Sequence, residues 1–284
     1  MPHYILSRQK FSFPYPVSEL EPFESQVFVP PSFPGNEYTT TPASLIFRTE
    51  GWVGGAQRIV EIYAASRGFL LKVEGCGEFF ITPQGESVGK SDCQSDLQQL
   101  DREIILGPVM VMALALRGVW SLHASAAMYK ENVIVYLGES GQGKSTLAAY
   151  LSQSAGWRMV ADDILPVKMD ANGVRVLPHF PQLKLPLDAQ PGIGLPEHLP
   201  LKYICVLTHA EPDQMPELQI LSTAQTVKAL LSHIAGTRMF DSMLLAKHLE
   251  FSAQAGKQIP AYRLIHPHRR DTLPLVREFL EKIC

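Results

Sequence analysis

The stretch that most constrains this chain runs from Val133 to Asp163. Val133-Ile134-Val135-Tyr136-Leu137 is apolar and rich in β-branched residues, the composition of a strand buried on both faces of a parallel sheet. Gly138-Glu139-Ser140-Gly141-Gln142-Gly143-Lys144-Ser145 follows at once and fits G-x-x-x-x-G-K-[ST] at each specified position. Thr146 to Leu151 continues as a helix, and Gly156 to Asp163 reads as a short strand ending in two carboxylates. Strand, glycine loop, helix and strand in that order predict an α/β fold with an anion site where the first strand meets its helix.

The residue types suit phosphate chemistry. Gly138, Gly141 and Gly143 let the backbone bend closely around an anion, so that successive N–H groups point into one concavity. The predicted nucleotide contacts are Gly138, Glu139, Ser140, Gly141, Gln142, Gly143, Lys144, Ser145 and Thr146. Lys144 would reach the β- and γ-phosphates of a bound nucleotide and Ser145 would offer a hydroxyl to Mg²⁺. Of Asp162 and Asp163, one suits the metal and the other can accept a proton from an attacking hydroxyl. Neighbouring strand residues face opposite sides, so both can serve one site only if the strand ends there. The competing readings are a Gly/Ser turn and an Asp-Asp turn; the flanking strand and helix favour the site.

Composition excludes several partners. A net charge of −3 over 284 residues supplies no overall basic field for nucleic acid or an anionic membrane. The longest apolar run, Ile104 to Leu116, is shorter than the roughly 18 residues of a membrane span, and no basic-then-apolar leader opens the chain, so a cytoplasmic protein is expected. Cys76, Cys93, Cys205 and Cys284 are scattered without C-x-x-C spacing, as reduced thiols are.

Two domains are expected, a proline-rich and β-rich region over 1–100 and the loop-bearing domain over 101–284. Proline runs such as Phe13-Pro14-Tyr15-Pro16 predict extended chain early on. Ser44 to Phe47, Arg58 to Tyr63, Phe69 to Val73 and Glu78 to Ile81 predict a small antiparallel sheet, with Gly75-Cys76-Gly77 as a hairpin turn. After a polar junction at Ser91 to Gln99, Leu100 to Arg117 predicts one buried helix closed by Gly118.

Val119 to Met128 predicts a strand antiparallel to Val133–Leu137, which puts His123 beside the sheet; by periodicity alone such a histidine is ordinarily structural. Beyond Asp163 a hairpin is expected around Asn172-Gly173, an extended exposed strand over His179 to Pro186, and a Pro- and Gly-rich loop over Leu187 to Leu201. Strands at Tyr203 to Thr208, Glu217 to Leu221 and Ala261 to Ile265 and helices at Ala224 to Ala235, Asp241 to Ala255 and Asp271 to Ile283 complete the reading. Arg238 and the run His266-Pro267-His268-Arg269-Arg270 lie in loops that could meet phosphate or simply be solvated.

With these residues in hand, His123 to Asp163 resembles the catalytic domain of HPr kinase/phosphorylase. That family has a histidine at a strand end, a strand leading to G-[DE]-S-G-x-G-K-S, a helix, and a strand ending in valine-alanine-aspartate-aspartate; here these are His123, Gly138 to Ser145, and Val160-Ala161-Asp162-Asp163. The resemblance implies a P-loop core of the HPr kinase and PEP carboxykinase type, with a mixed sheet, and a serine kinase using ATP and Mg²⁺. It implies that His123, Lys144, Asp162 and Asp163 are catalytic and that Ser145 and one aspartate hold the metal. Either order of the aspartates satisfies it; Asp163 is taken as base and Asp162 as metal ligand.

Residues 1–100 do not resemble that family's regulatory domain, which points to the related kinases of peptide natural-product pathways, some acting on lasso-peptide precursors. The expected partner is a peptide or protein carrying an acceptor serine, with self-association left open. The alternatives are a small-molecule hydroxyl kinase and an ATP-binding regulator without transfer.

Overall fold

The computed structural model describes residues 3–6, 9–12, 44–53, 55–65, 68–90, 99–182, 185 and 190–284. The expectations for the early proline runs, the polar junction at 91–98 with Cys93, and the start of the 187–201 loop fall outside them. The chain forms two compact units, one of Met1–Val119 with Gly236–Leu245, the other of Trp120–Ala235 with Ala246–Cys284. No described helix is long and apolar enough to cross a membrane.

In the first unit, β1 (His3–Leu6) and β2 (Gln9–Ser12) form a hairpin. Strands β3 (Ser44–Val53), β4 (Ala56–Ala65), β5 (Gly68–Val73), β6 (Gly77–Ile81) and β7 (Val88–Lys90) form an antiparallel meander in chain order. Ile62, Leu71, Phe79, Ile81 and Val88 give it a buried apolar face. The turn through Gly75 and Cys76 joins β5 to β6.

The single helix expected over Leu100 to Arg117 is broken. α1 (Gln99–Ile104) and α2 (Met110–Leu116) are separated by a wide turn, Ile105–Val109, in which Gly107 leaves helical geometry at φ −92°, ψ −110°. Pro108 supplies the cause, because it has no N–H to donate and its ring crowds the preceding turn. At the far end Val119 N–H donates to Leu114 C=O at 2.9 Å and Gly118 N–H to Ala115 C=O at 3.0 Å, a Schellman cap around Gly118 at φ 71°.

The second unit is a seven-stranded mixed sheet in the order β11-β10-β8-β9-β12-β14-β13. Its strands are β8 (Trp120–Tyr129), β9 (Asn132–Leu137), β10 (Trp157–Asp170), β11 (Gly173–Val176), β12 (Leu199–His209), β13 (Glu217–Ile220) and β14 (Ala261–His266). Only β9, β12 and β14 pair in parallel; the other neighbours are antiparallel. The helices are α3 (Lys144–Ser152), α4 (Thr223–His233), α5 (Ser242–Gln258) and α6 (Leu273–Ile283).

Leu147, Ala148 and Leu151 of α3 and Leu273, Val276 and Leu280 of α6 bury with Ile134, Tyr136, Cys205 and Leu264 of the parallel strands in one core. A second packing layer sets the Trp120 ring 5.4 Å from His248 and 6.0 Å from Phe251 of α5. α4 and α5 approach closely: a side chain on Gly256 would lie 2.6 Å from Val227 Cγ2. The hairpin after β10 pairs Asp170 with Gly173, so its two turn residues are Ala171 and Asn172, one place earlier than expected.

Burial also sets how this unit responds to acid. His233, His248 and His266 each have a pKa lowered chiefly by desolvation. Unfolded, an imidazole takes up a proton below about pH 6.5, whereas these three do so only at lower pH when folded. The unfolded chain then holds more protons, so stability is full above about pH 6.5 and is lost as pH falls through the lowered folded values. A series of melting curves from about pH 7.5 to 5 is expected to show a falling midpoint, with a shallower fall in His248→Phe.

Candidate active site

The loop leaves β9 at Leu137 and winds through three glycines with positive φ, Gly138 at 153°, Gly141 at 85° and Gly143 at 85°. At Gly138 the positive φ favours glycine, and a Cβ there would fit tightly, 3.3 Å from both Leu207 O and Gln142 Cβ. Gly143 caps α3 in the left-handed conformation with no side-chain cap, so N–H groups of the first turn stay available to an anion. Lys144 is buried, and its Nζ donates to Gly138 C=O at 2.7 Å and Glu139 C=O at 3.1 Å, which holds the ammonium over the loop. Ser145 and Thr146, on the exposed side of the same turn, present hydroxyls.

The expectation that a strand ends at the aspartates is wrong: β10 continues through them to Asp170. Asp162 pairs with Ser125 and Ile164 with His123 across the β8 ladder. His123 and Ser125, two apart on β8, share a face. Ser125 Oγ donates to Asp162 Oδ1 at 2.8 Å, and His123 Nε2 lies 3.3 Å from Asp163 Oδ1. Both carboxylates are therefore met from one face of β8, which a regular strand forbids.

Asp163 has φ 128°, and this single residue breaks the alternation. A non-glycine residue in such a conformation costs of order 1–3 kcal/mol and persists only where its surroundings hold it. The strain thus does what a strand end was expected to do.

The β8–β9 register pairs Ser125 with Tyr136. Asp162, Ser125 and Tyr136 thus form one row across three strands, two strand spacings or roughly 10 Å wide. The row ends at Tyr136, two residues before the loop begins at Gly138.

Several residues that sequence reasoning passed over stand at the same place. An antiparallel bridge joins Leu122 to Ile234, and Ala235 N–H donates to Ser121 C=O at 2.7 Å, so the end of α4 lies along β8 where β9 gives way to the loop. That register brings His233 alongside His123, and its imidazole senses the charges of Glu139, Lys144 and His123 while burial lowers its pKa. On the other flank, a Cβ at Gly143 would lie 3.8 Å from His268 Nε2 and 4.0 Å from His266 Cε1. His209 ends β12 opposite His266 at the end of β14, and the rings of His209 and His268 meet edge to face at 4.4 Å.

The segment expected as an exposed strand over His179 to Pro186 instead buries Phe180 at 3% and Gln182 at 1% exposure. Gln182 lies behind the carboxylate pair, its Oε1 accepting the Asp162 N–H at 3.0 Å. Ser125 carries a readable signal, two residues from His123 in a strand. Gln182 and His233 carry none, because their approach depends on pairings distant in sequence. Arg238 lies in the short helical turn Thr237–Met239 of the first unit.

The loop, the uncapped N-terminus of α3 and a set of hard oxygen donors fit a nucleotide triphosphate with Mg²⁺, which takes one or two protein oxygens together with phosphates and water. Ser145 and Asp162 would hold the ion, whose chemistry there is neutralisation of phosphate charge.

No protein-family model and no curated protein matches this chain. Among solved structures it matches the Hpr(Ser) kinase/phosphatase from Coxiella burnetii at 15% identity and a TM-score of 0.33, over 57% of this chain and 97% of that one. So distant a likeness assigns neither activity nor substrate.

Proposed function

We propose that the second unit is an ATP- and Mg²⁺-dependent kinase with a P-loop core that phosphorylates a serine hydroxyl of a peptide or protein, such as a natural-product precursor peptide. The reading rests above all on the turned Asp163. Binding a nucleotide needs only the loop and Lys144; a strained backbone that aligns a second carboxylate with His123 serves a reaction.

Each side chain has a role in that reading. The loop amides and Lys144 would bind and orient the triphosphate, and Asp162, fixed by Ser125, would hold the metal. As the acceptor oxygen bonds to the γ-phosphorus and the bond from that phosphorus to the β,γ-bridging oxygen breaks to release ADP, Asp163 accepts the hydroxyl proton, and His123 orients that carboxylate. Rate acceleration comes from positioning and charge neutralisation rather than from a covalent enzyme intermediate.

Incubation with ATP, Mg²⁺ and serine-containing peptides is expected to add the mass of one phosphate to the peptide. A small molecule phosphorylated in place of any peptide would identify a small-molecule kinase. ATP binding with slow hydrolysis and no phosphorylated acceptor would identify a nucleotide-dependent regulator and overturn the kinase reading.

A further inference from the structure

We propose that Gln182 is the positioning residue of this site, its side-chain amide clamping β10 in the turned conformation that sets the Asp163 carboxylate beside His123. The inference rests on the kinase reading for its effect on transfer, but the clamp itself stands on geometry.

On the side of β10 away from β8, β11 covers only the far end, from Val167 to Asp170, and Leu177 N–H adds one bond to Pro166 C=O at 2.9 Å. Among the described residues no strand pairs with this edge at the aspartates, and the Gln182 amide takes the place of one. Its Oε1 accepts the Asp162 N–H at 3.0 Å, and its Nε2 donates to Ile164 C=O at 2.9 Å. These two bonds straddle Asp163, the residue at φ 128°.

The amide has one satisfactory orientation. Nε2 also donates to Phe180 C=O at 2.9 Å, so the nitrogen faces two carbonyls and the oxygen faces an N–H; reversing the group would oppose like to like at all three contacts. Gln190 fixes the backbone of Gln182 in turn, its Oε1 accepting the Gln182 N–H at 2.7 Å and its Nε2 donating to Gln182 C=O at 3.1 Å and Leu185 C=O at 3.0 Å. Gln182 is 1% exposed, so water does not compete for these bonds. Gln190 thereby fixes Gln182, and Gln182 in turn bears on one backbone torsion in β10.

Without the clamp, Asp163 is free to relax to negative φ, which turns its carboxylate to the opposite face of β10. Gln182→Met keeps length and apolar volume but removes all three bonds; Gln182→Glu keeps the acceptor for Asp162 and removes both donors, and it carries the same test where the Met variant does not fold. Crystal structures of these variants are expected to show Asp163 turned away from His123, and transfer is expected to fall about 10²-fold while ATP affinity stays at the wild-type value.

Asp163 Oδ1 still beside His123 Nε2 in the variant structure would overturn the proposal, as would equal losses of binding and transfer. A wild-type protein that binds ATP but transfers nothing would instead overturn the kinase reading, leaving the crystallographic outcome to decide the clamp.

Discussion

Asp163→Asn is expected to lower phosphoryl transfer by about 10²- to 10⁴-fold, the usual contribution of a general base, while ATP binds as before. Asparagine has the same shape and keeps an oxygen for His123 Nε2, 3.3 Å away in the native site, so the substitution tests chemistry rather than packing. What it removes is the ability to take a proton from the attacking hydroxyl. Single-turnover transfer to a peptide, read by mass, alongside a titration with labelled ATP, separates the two effects. Full transfer in Asp163→Asn would remove the base assignment and move it to Asp162. Asp162→Asn is expected to raise the Mg²⁺ concentration needed for half-maximal rate, since its oxygen is the one that Ser125 aims.

Lys144→Ala is expected to weaken ATP binding by about 10²-fold, since a hydrogen bond to a charged group contributes roughly 1.5–3 kcal/mol and each 1.4 kcal/mol is a factor of ten. Transfer falls at least as far, because the same ammonium neutralises charge on the migrating group. The native side chain is 7% exposed and held by two loop carbonyls, so it is preorganised rather than recruited from solvent. Lys144→Arg retains the charge, but a planar fork does not reproduce a point donor between those carbonyls, and most of the loss should persist. The stabilisation that ATP gives to thermal unfolding should shrink in parallel. Unchanged affinity in Lys144→Ala would show that the triphosphate binds away from this loop.

Much of the second unit was legible because its signals are local. Apolar β-branched runs gave β9 and β12, the spacing of glycines, lysine and serine gave the loop, and periodicity gave α4, α5 and α6 within a few residues of their observed ends. The helix expected over Leu100 to Arg117 is broken because Pro108, within an apolar run of helical composition, removes a donor and crowds the preceding turn, an effect that is itself local in sequence. The exposed strand expected at His179 to Pro186 failed differently. Prolines and a glutamine look solvated in sequence, yet Gln182 is buried because its amide completes the hydrogen bonding of a strand edge that only the sheet order reveals.

The sequence by itself determined that a strand, a glycine loop with Lys144 and Ser145, and a helix follow one another, and that two adjacent carboxylates come after them. Local backbone preference and residue spacing suffice for that. Tertiary structure alone decided that the two carboxylates can act together. Alternation along β10 would separate Asp162 from Asp163, and only a left-handed torsion at Asp163, with His123 and Ser125 across the ladder and Gln182 behind it, brings them to one face. Those contacts join residues far apart in the chain, and no periodicity within a single strand encodes them.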